Sequence, residues 1–598
     1  MDAMLRPTAL FLSLAAAAFA QTPAPDGRAL FAAHCAMCHE GGDQRAPTLE
    51  TLKARPNESI MVALEAGVMR SQAQTLSAAE KHAVADFLSP RTAAQTVREN
   101  PCPPGTHHLT GVTGWNGWGV DLTNSRFQTT AAAGLRAEDV PKLRVKWAFG
   151  IPYQVTVEAQ PTVVGGRVYF GTATGSVYSL DARTGCQYWM FKADTRMRTA
   201  LNIVNLGGSR YAAYFGDAET NVYAVDAENG KLIWKTKLDD HPMAGITGAP
   251  KLYKGRLYVG VRSASEEVAA GDPKYPCCTF RGSLVALDAA TGKIAWKTFT
   301  VPDPAVKTKV SSAGTQLFGP SGAGIWDSPT IDAKRNLVYA GTGNNYSDPP
   351  THTSDAILAF DLTSGAMKWS KQLTEDAWNA SCGRPGKPSC PANPDRDVDF
   401  GSSPILRSLP NGKDVILAGQ KSGDVYALDP DNNGEIVWKK TVAKGGPNGG
   451  IQWGMAADTE NVYAPISDII PGPGGGLFAL KIASGEQVWY APPIEPACKG
   501  KRGCSQAQVA AASGIPGVVF SGSMDGHLRG YSTKDGKVIW DLDTARDYDT
   551  VNGVQAHGGS MNVAGPAIAG GMLFVNSGYN VMIGMPGNVV LALSVDGK

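Results

Sequence analysis

The chain has 598 residues, a formal net charge of +1 at pH 7 and charged side chains at only 18% of its positions. This length holds one large domain and a small one. The balanced charge leaves no basic stripe for nucleic acid, so that class of function is excluded. Glycine is abundant, with 69 residues, as a fold with many tight turns requires.

The first twenty residues have the pattern of a secretory signal. Arg6 gives the positive flank, residues 10–19 form a short apolar run, and Ala18-Phe19-Ala20 is a small-x-small cleavage site. The run is too short to span a bilayer, and no other segment of the sequence is a candidate for a span. The sequence therefore predicts an exported protein without a membrane span, periplasmic in location and cleaved near Ala20.

Residues Cys35-Ala36-Met37-Cys38-His39 form a C-x-x-C-H motif. In this motif Cys35 and Cys38 bond to the haem vinyl groups and His39 becomes an axial ligand of the iron, which predicts haem c. Met69, 30 residues after His39, is the candidate for the second axial ligand. Met61 competes, although its place on an apolar helical face favours a core role. The alternative is a redox or zinc C-x-x-C pair beside an incidental histidine.

The segment around this motif has the marks of a separate domain. Ser77-Ala78-Ala79-Glu80 is a capping box that opens a helix running to Phe87. Residues 26–90 resemble a class I cytochrome c domain, which implies a small all-α fold that carries single electrons. We place this domain at residues 21–92, after a signal peptide at 1–20. A linker rich in proline and polar residues follows at 93–108.

A repeat marked by tryptophan fills the rest of the chain. Each copy is a short apolar strand, usually an Asp, then a turn, a Gly and a Trp four residues later. An eighth copy is split, because residues 589–594 supply its first half and residues 142–147 its second. A repeat divided between the two ends suits a closed ring whose last blade takes a strand from each terminus. The complete copies end at Trp189, Trp234, Trp296, Trp369, Trp438, Trp489 and Trp540.

These repeats predict the fold class, which is mainly β: an eight-bladed β-propeller over residues 109–598, behind the small all-α domain. Runs such as Arg256-Leu257-Tyr258-Val259-Gly260 are rich in strand-forming residues and end at turns. Spacings of 42 to 73 residues between tryptophans suit four short strands per blade with uneven insertions. The alternative is an array of β-sandwiches with fortuitous tryptophans.

Eight cysteines lie outside the haem motif, and this even number suggests disulfides in an oxidising compartment. The sequence does not fix their connectivity. Short spacing, adjacency and elimination suggest the pairs Cys382–Cys390, Cys498–Cys504, Cys277–Cys278 and Cys102–Cys186.

Several short motifs accompany the repeats: Thr247-Gly248-Ala249-Pro250, Ser263-Ala264-Ser265-Glu266-Glu267, Ile325-Trp326, Gly341-Thr342-Gly343-Asn344, Asp399-Phe400-Gly401 and Lys421-Ser422-Gly423. Together with the Trp repeats they resemble the pyrroloquinoline quinone (PQQ) alcohol dehydrogenases along the whole ring. No Rossmann fingerprint competes, since no G-x-G-x-x-G lies between a strand and a helix. The resemblance implies PQQ and Ca²⁺ as cofactors. It implies cofactor contacts at Trp326, Thr247, Lys421, Cys277 and Cys278 and, on a weaker match, Arg198.

The chemistry of these residues is consistent with that resemblance. Oxygen ligands from Glu266, Asn344 and Asp399 suit Ca²⁺. Asp399 is the candidate general base that takes the alcohol proton while hydride passes to PQQ. Trp326 offers a flat face to a planar cofactor, and Lys421 stabilises a negative oxygen of the reduced quinone.

Alternatives remain for several of these residues. An extra Asp two positions after the base would favour a lanthanide, but residue 401 is Gly, which favours Ca²⁺. The Cys277–Cys278 disulfide follows the Glu motif, where the best-known methanol-oxidising members carry theirs in an earlier blade, and its place against the quinone is open. Asn344 can simply hold a turn and Trp326 can belong to the core. Glu267 is an equal alternative to Glu266 as the metal ligand. Asp399 can be a turn acid, since Asp376, Asp395 and Asp397 lie nearby.

Three longer motifs indicate a subfamily: Trp115-Asn116-Gly117-Trp118-Gly119-Val120-Asp121, Tyr275-Pro276-Cys277-Cys278-Thr279-Phe280-Arg281-Gly282, and Ser577-Gly578-Tyr579 with Gly584-Met585-Pro586-Gly587-Asn588. With the cytochrome they resemble the polyvinyl alcohol dehydrogenases over nearly the whole mature chain. The resemblance implies oxidation of secondary hydroxyls of a polymer, with electrons passing to the chain's own haem c and then to an external cytochrome c. The alternatives are another alcohol or sugar as substrate, or a non-catalytic scaffold for outer-membrane protein assembly.

Overall fold

The computed structural model describes residues 25–597 except 41–45, 54, 66–68, 70–71, 74, 90–96, 106–107, 110, 265, 383–385, 471 and 582. The signal-peptide prediction for residues 1–20 and part of the linker at 93–108 lie outside these ranges. None of the helices within them combines the length and apolar character needed to cross a membrane.

The N-terminal domain is a small helical bundle. Its first and last helices cross so closely that a Cβ on Gly27 would lie 2.0 Å from the carbonyl oxygen of Ala83, so only glycine fits there. The capping box expected at Ser77 is present, with its hydroxyl accepting the N–H of Glu80 and the Glu80 carboxylate accepting the N–H of Ser77. The helices are Gly27–His34, Ala36–His39, Leu49–Lys53, Asn57–Glu65 and Ala78–Leu88.

Eight antiparallel sheets with four blade strands each form the ring, as the Trp repeats predict, and a short extra strand is added to the sheets of blades 1 and 3. We number them as blades 1 to 8, each given from its innermost strand outwards. Blades 1 to 4 are Thr162–Val164, Arg167–Gly171, Ser176–Asp181 and Gln187–Lys192; Asn202–Gly207, Arg210–Gly216, Asn221–Asp226 and Leu232–Lys237; Lys251–Tyr253, Arg256–Ser263, Ser283–Asp288 and Ile294–Phe299; and Thr330–Asp332, Leu337–Gly341, Ala356–Asp361 and Met367–Gln372.

Blade 8 closes the ring with a strand from each end of the chain. Arg144–Gly150 pairs antiparallel with Val589–Ser594, and Trp147 lies opposite Ala592. The split repeat is therefore confirmed. Blades 5 to 8 are Ile405–Ser408, Asp414–Gly419, Asp424–Asp429 and Glu435–Thr441; Ala456–Ala457, Asn461–Pro465, Leu477–Lys481 and Gln487–Ala491; Ser513–Ile515, Val518–Gly522, His527–Ser532 and Val538–Asp543; and Ala567–Ala569, Met572–Ser577, Val589–Ser594 and Arg144–Gly150.

The repeated Gly and Trp join neighbouring blades. The Trp296 indole of blade 3 packs on Gly365 of blade 4, where a Cβ would lie 2.5 Å from the ring and the backbone has φ +75°. Glycine satisfies both the left-handed conformation and the close approach. The indole N–H of Trp189 likewise donates to the Ala227 carbonyl of the next blade at 3.0 Å. The repeat tryptophans of blades 1 to 6 and 8 thus dock their own blade onto the turn of the following one.

A segment at residues 114–128, here called the hub segment, contacts the innermost strand region of every blade. It pairs with blade 1 at Val163 and Val164, and Asn116 exchanges hydrogen bonds with Ile203 of blade 2. Its backbone carbonyls and the Gln128 side chain form hydrogen bonds with the remaining six blades. The contacts to blades 3 to 8 are made with Lys251, Ile331, Leu406, Ala457, Gly514 and Ile568.

Four disulfides join the eight cysteines outside the haem motif, in the pairs suggested by the sequence. Smaller elements decorate the ring. They are the short helices Thr130–Ala133, Ala137–Lys142 and Glu266–Ala269 and the strands Gly114–Trp115, Ala244–Gly245, Val306–Val310, Gln316–Gly319, Ser321–Gly322, Asn345–Ser347, Asp547–Tyr548 and Ala556–His557.

Candidate active site

One cavity of about 700 Å³ extends from the cytochrome domain into the ring. On the ring side its walls are loops that enter innermost strands, such as the one with Trp326 before Thr330–Asp332, and loops that leave second strands, such as the one with Asn344 after Leu337–Gly341. Antiparallel pairing places these two kinds of loop at the same end of each blade. Residues from several blades therefore converge on one site.

The side chains of Asp399 and Lys421 form the polar centre of this cavity. The Lys421 ammonium donates to Asp399 at 3.0 Å and to Asp397 at 2.8 Å, and the backbone N–H of Asn344 donates to the other Asp399 oxygen at 2.9 Å. Burial raises the pKa of Asp397 to about 7, against the opposing effect of Lys421. The two carboxylates hold the pKa of Lys421 above its usual range despite burial, so this lysine remains charged.

Glu267, not Glu266, reaches the cavity. The buried Glu266 carboxylate points the other way and accepts the backbone N–H groups of Thr279 and Phe280, each at 2.8 Å. Glu267 lines the cavity, accepts from the Ser263 hydroxyl at 2.6 Å, and has its pKa raised by burial. This geometry favours Glu267 over Glu266 as the metal ligand, because the Glu266 oxygens accept hydrogen bonds from the chain's own backbone.

Trp326 forms a flat wall of the cavity. A Cβ on Gly401 would lie 2.0 Å from the far edge of the indole, so the ring rests directly on the backbone at this glycine. The Thr247 hydroxyl donates to the Trp326 carbonyl at 3.0 Å. This bond fixes the loop that carries Trp326, and it uses the hydroxyl hydrogen that a cofactor could otherwise accept. Trp453 meets the indole edge-to-face at 5.1 Å. The Trp326 indole is thereby held by contacts with Gly401 and Trp453, and its loop is held by Thr247.

Cationic side chains crowd the opposite part of the cavity. Arg196 pairs with Glu158, with its Nε donating at 2.7 Å, and Arg198 lies with its guanidinium 4.1 Å from the centre of the Trp453 ring. Burial lowers the pKa of Arg198 to about 9. The Arg262 Nε is buried without a hydrogen-bond partner. Such a cluster suits a ligand with several carboxylates.

The residues present fit both calcium and a planar anionic quinone. The buried Asn344 amide nitrogen has no partner, and because amide orientation is assigned rather than observed, this side chain can equally turn its oxygen to a cation. Two carboxylates and one amide, from Glu267, Asp399 and Asn344, are hard oxygen donors. Within the described ranges no three acidic, His or Cys side chains form a metal cluster by themselves.

The cytochrome side of the cavity contains the expected haem residues. Cys35 and Cys38 are unbridged, and Met69 lines the cavity together with His39. The His39 Nδ1–H donates to the Pro47 carbonyl at 2.6 Å, which leaves Nε2 for the iron. Met61 is buried in the helical core and does not line the cavity. The geometry favours Met69 over Met61 as the second ligand.

The adjacent-cysteine disulfide does not line the cavity. Cys277 and Cys278 are buried in an apolar cluster with Phe280, Leu317 and Tyr346, and it is Tyr346 that faces the cavity. The cofactor contacts expected at these two cysteines are not supported by this placement, because the peptide around them is packed behind the wall.

Sequence reasoning missed several wall residues: Glu158, Arg196, Arg262, Tyr346, Trp378 and Trp453. The alternation of Arg196 with Arg198 at a strand entry was the available signal for one of them. Trp378 was not foreseeable, because it lies in residues 376–397, an insertion between the last strand of blade 4 and the first strand of blade 5. That insertion reaches the wall by pairing with Asn345 and by a hydrogen bond from the Ala380 N–H to the Glu267 carbonyl at 2.7 Å.

Comparison with known proteins gives close relatives over the full length. The chain is 42% identical to a protein named polyvinylalcohol dehydrogenase from Pseudomonas sp, covering 98% of this chain and 96% of the relative. It is 39% identical to a protein of the same name from Sphingopyxis sp. (strain 113P3), covering 96% and 93%. Residues 22–88 match the family model described as cytochrome C oxidase, cbb3-type, subunit III.

The ring matches the family model described as outer membrane protein assembly factor BamB at residues 112–452 and 378–596. Among solved structures, the chain is similar to quinohemoprotein alcohol dehydrogenase ADHIIG from Pseudomonas putida HK5, with TM-score 0.60 and 20% identity over 81% of each chain. The enzyme from Comamonas testosteroni gives TM-score 0.59 and 21% identity over the same shares. At these identities the structural likeness confirms the fold alone.

Proposed function

The chain belongs to the polyvinyl alcohol dehydrogenase family, and from that premise we propose that it oxidises secondary hydroxyl groups, most readily those of polyvinyl alcohol, to ketones. PQQ and calcium occupy the ring side of the cavity, and haem c, ligated by His39 and Met69, occupies the other. Electrons pass from the quinone to this haem and then to an external cytochrome c. The protein acts in the periplasm.

The observation that carries this proposal is the shared cavity. His39 and Met69 lie on the same continuous wall as Trp326, Asp399 and Lys421. A haem of this kind transfers single electrons and does no bond chemistry, so it serves an oxidation at the ring residues next to it. A non-catalytic scaffold would not require haem ligands and polar ring residues on one cavity wall.

Within the site, Asp399 is placed to accept the hydroxyl proton of the alcohol. Its carboxylate accepts hydrogen bonds from the Asn344 N–H and from Lys421, so it is held in one orientation. When bound, PQQ with its calcium supplies the electrophilic carbonyl that takes the hydride equivalent from the alcohol carbon. The Lys421 ammonium lies 5.8 Å from the centre of the Trp326 ring. From this position it stabilises negative charge that develops on a quinone bound over Trp326.

Other side chains bind and shield. Arg196, Arg198 and Arg262 hold carboxylates of the cofactor, and Glu267 with Asn344 holds the cation. Trp378, Ile470 and the half-exposed Val268 add apolar surface to the cavity wall. Such a surface suits the hydrocarbon backbone of a polymer whose hydroxyls alternate along it.

The test is reconstitution of the purified full-length protein with PQQ and Ca²⁺, followed by stopped-flow recording of its haem. We expect polyvinyl alcohol and a small 2,4-diol to reduce the haem faster than primary alcohols or aldoses do. Asp399→Asn, reconstituted in parallel, is the matched control and should bind PQQ without turning over. Haem reduction by primary alcohols or aldoses alone would refute the polymer assignment, and no reduction by any alcohol would refute the proposal as a whole.

A further inference from the structure

The ring reaches the cytochrome domain through residues 498–504, here called the latch loop, which lies between blades 6 and 7. The Cys498–Cys504 disulfide closes it. Gly503, with φ +80°, packs on the backbone of Gly584, where a Cβ would lie 2.3 Å away. The disulfide restricts the loop and the Gly503 contact fixes it on the ring, so the preceding residue, Arg502, has a defined position.

Arg502 grips the start of a cytochrome helix. Its guanidinium donates to the Thr48 hydroxyl at 2.9 Å and also to the Thr51 hydroxyl. Thr48 in turn accepts the backbone N–H of Thr51 and, through its carbonyl, that of Leu52 at 2.9 Å. Both bonds come from Nη1 of Arg502, so this one nitrogen ties Thr48 and Thr51 together across the first turn of helix Leu49–Lys53.

This first turn adjoins the axial histidine. Thr48 directly follows Pro47, whose carbonyl accepts the His39 Nδ1–H at 2.6 Å. A continuous set of contacts thus runs from the ring through Arg502 and Thr48 to His39. Other bonds between the domains include those from Ser59 to the Tyr153 carbonyl at 3.0 Å and from Arg55 to the Asn580 carbonyl at 3.4 Å.

We propose that Arg502, presented by the latch loop, is a positioning residue that keeps the haem-binding face of the cytochrome domain docked over the ring cavity. This inference rests on the proposed route of electrons from the ring to haem c. Its effect is on docking, so it changes how fast the haem is reduced and leaves alcohol oxidation at the ring untouched. The disulfide contributes by restricting the loop before the cytochrome docks.

The test compares Arg502→Ala, Arg502→Lys and the neighbouring control Lys501→Ala, each loaded with PQQ, Ca²⁺ and haem. Two rates are recorded with one alcohol: haem reduction by stopped flow, and reduction of a dye that takes electrons directly from the quinone. Loss of these solvent-exposed hydrogen bonds, which have ordinary net strength, should slow haem reduction by roughly five- to tenfold in Arg502→Ala while the dye rate holds. Arg502→Lys should recover part of the rate, and Lys501→Ala should match the wild type.

A readout that needs no turnover is hydrogen exchange at the Leu52 amide, which should quicken in Arg502→Ala and not in Lys501→Ala. Thr51→Val removes one acceptor from the cytochrome side, so the double variant with Arg502→Ala should slow haem reduction by less than the product of the two single effects. Strict additivity, or an unchanged haem rate in Arg502→Ala, would overturn the inference. A wild type that reduces the dye but never its haem would instead overturn the proposed electron route, and the latch with it.

Discussion

Gly401→Ala should weaken PQQ binding although residue 401 need not touch the cofactor. The new Cβ would lie 2.0 Å from the Trp326 indole, where carbon atoms ordinarily stay about 3.5 Å apart, so the ring has to move by about 1.5 Å. Trp453, which contacts the Trp326 indole edge-to-face, prevents the indole from moving away from residue 401 on that side. Without PQQ the indole can swing into the cavity, whereas the bound quinone fills that space, so the strain falls on the loaded protein.

Overpacking of this kind costs about 1–3 kcal/mol, which corresponds to roughly 5- to 150-fold in the dissociation constant of PQQ. The assay is a titration of metal-loaded apoprotein with PQQ, followed by tryptophan fluorescence and by recovered activity. Gly111→Ala is the matched control, because a Cβ there meets nothing within 4 Å. A Gly401→Ala protein that binds PQQ with wild-type affinity would show that Trp326 is not the cofactor platform.

The remaining predictions concern the ligands, the base and the disulfides. Met69→Ala should abolish the thioether-to-ferric-iron absorption band and lower the haem potential; an unchanged spectrum would move the ligand to Met61. Glu267→Gln should raise the calcium concentration needed for activation, measured after chelation and re-addition. Glu266→Gln should instead lower the melting temperature, because it weakens the acceptors of the Thr279 N–H and of the buried Phe280 N–H by about 1–3 kcal/mol. Asp399→Asn should retain PQQ by absorbance yet lose about 10²–10⁴-fold in kcat. Thiol titration of unfolded, unreduced holoprotein should find essentially no free thiols, and two or more would contradict the four disulfides.

The sequence predicted the ring well because its signal is local and repeated. Trp296 and Gly365 belong to different blades, but each complete repeat contains both a Gly and a Trp. The repeated motif therefore predicts the contact between neighbouring blades from the sequence alone. The C-x-x-C-H motif has the same character, since all three of its chemical groups lie within five residues. The choice of an enzyme over a scaffold is likewise confirmed, by full-length relatives that are dehydrogenases.

The direction in which individual side chains point, in contrast, was not predictable from the sequence. Glu266 and Glu267 are neighbours at the start of a four-residue helix, and their side chains leave it about 100° apart. Only the peptide at Thr279 and Phe280, which needs an acceptor, decides which carboxylate turns inwards. The Cys277–Cys278 pairing was evident from adjacency, yet its depth behind Tyr346 depends on how distant strands pack. The assigned catalytic and ligand roles and the domain boundaries stay predictions.

The hub segment had no periodic signal, because its partners are spread over eight blades rather than along one strand. That spread has a consequence for the order in which the protein is assembled. The ribosome makes residues 114–150 early, but Gln128 waits for Ile568, and strand Arg144–Gly150 waits for Val589–Ser594. The cytochrome helices find all their mutual contacts within the first ninety residues. A nascent chain can therefore complete its electron carrier while the catalytic ring is still an open row of unpaired edges. Loss of the last ten residues would strand it in that aggregation-prone state.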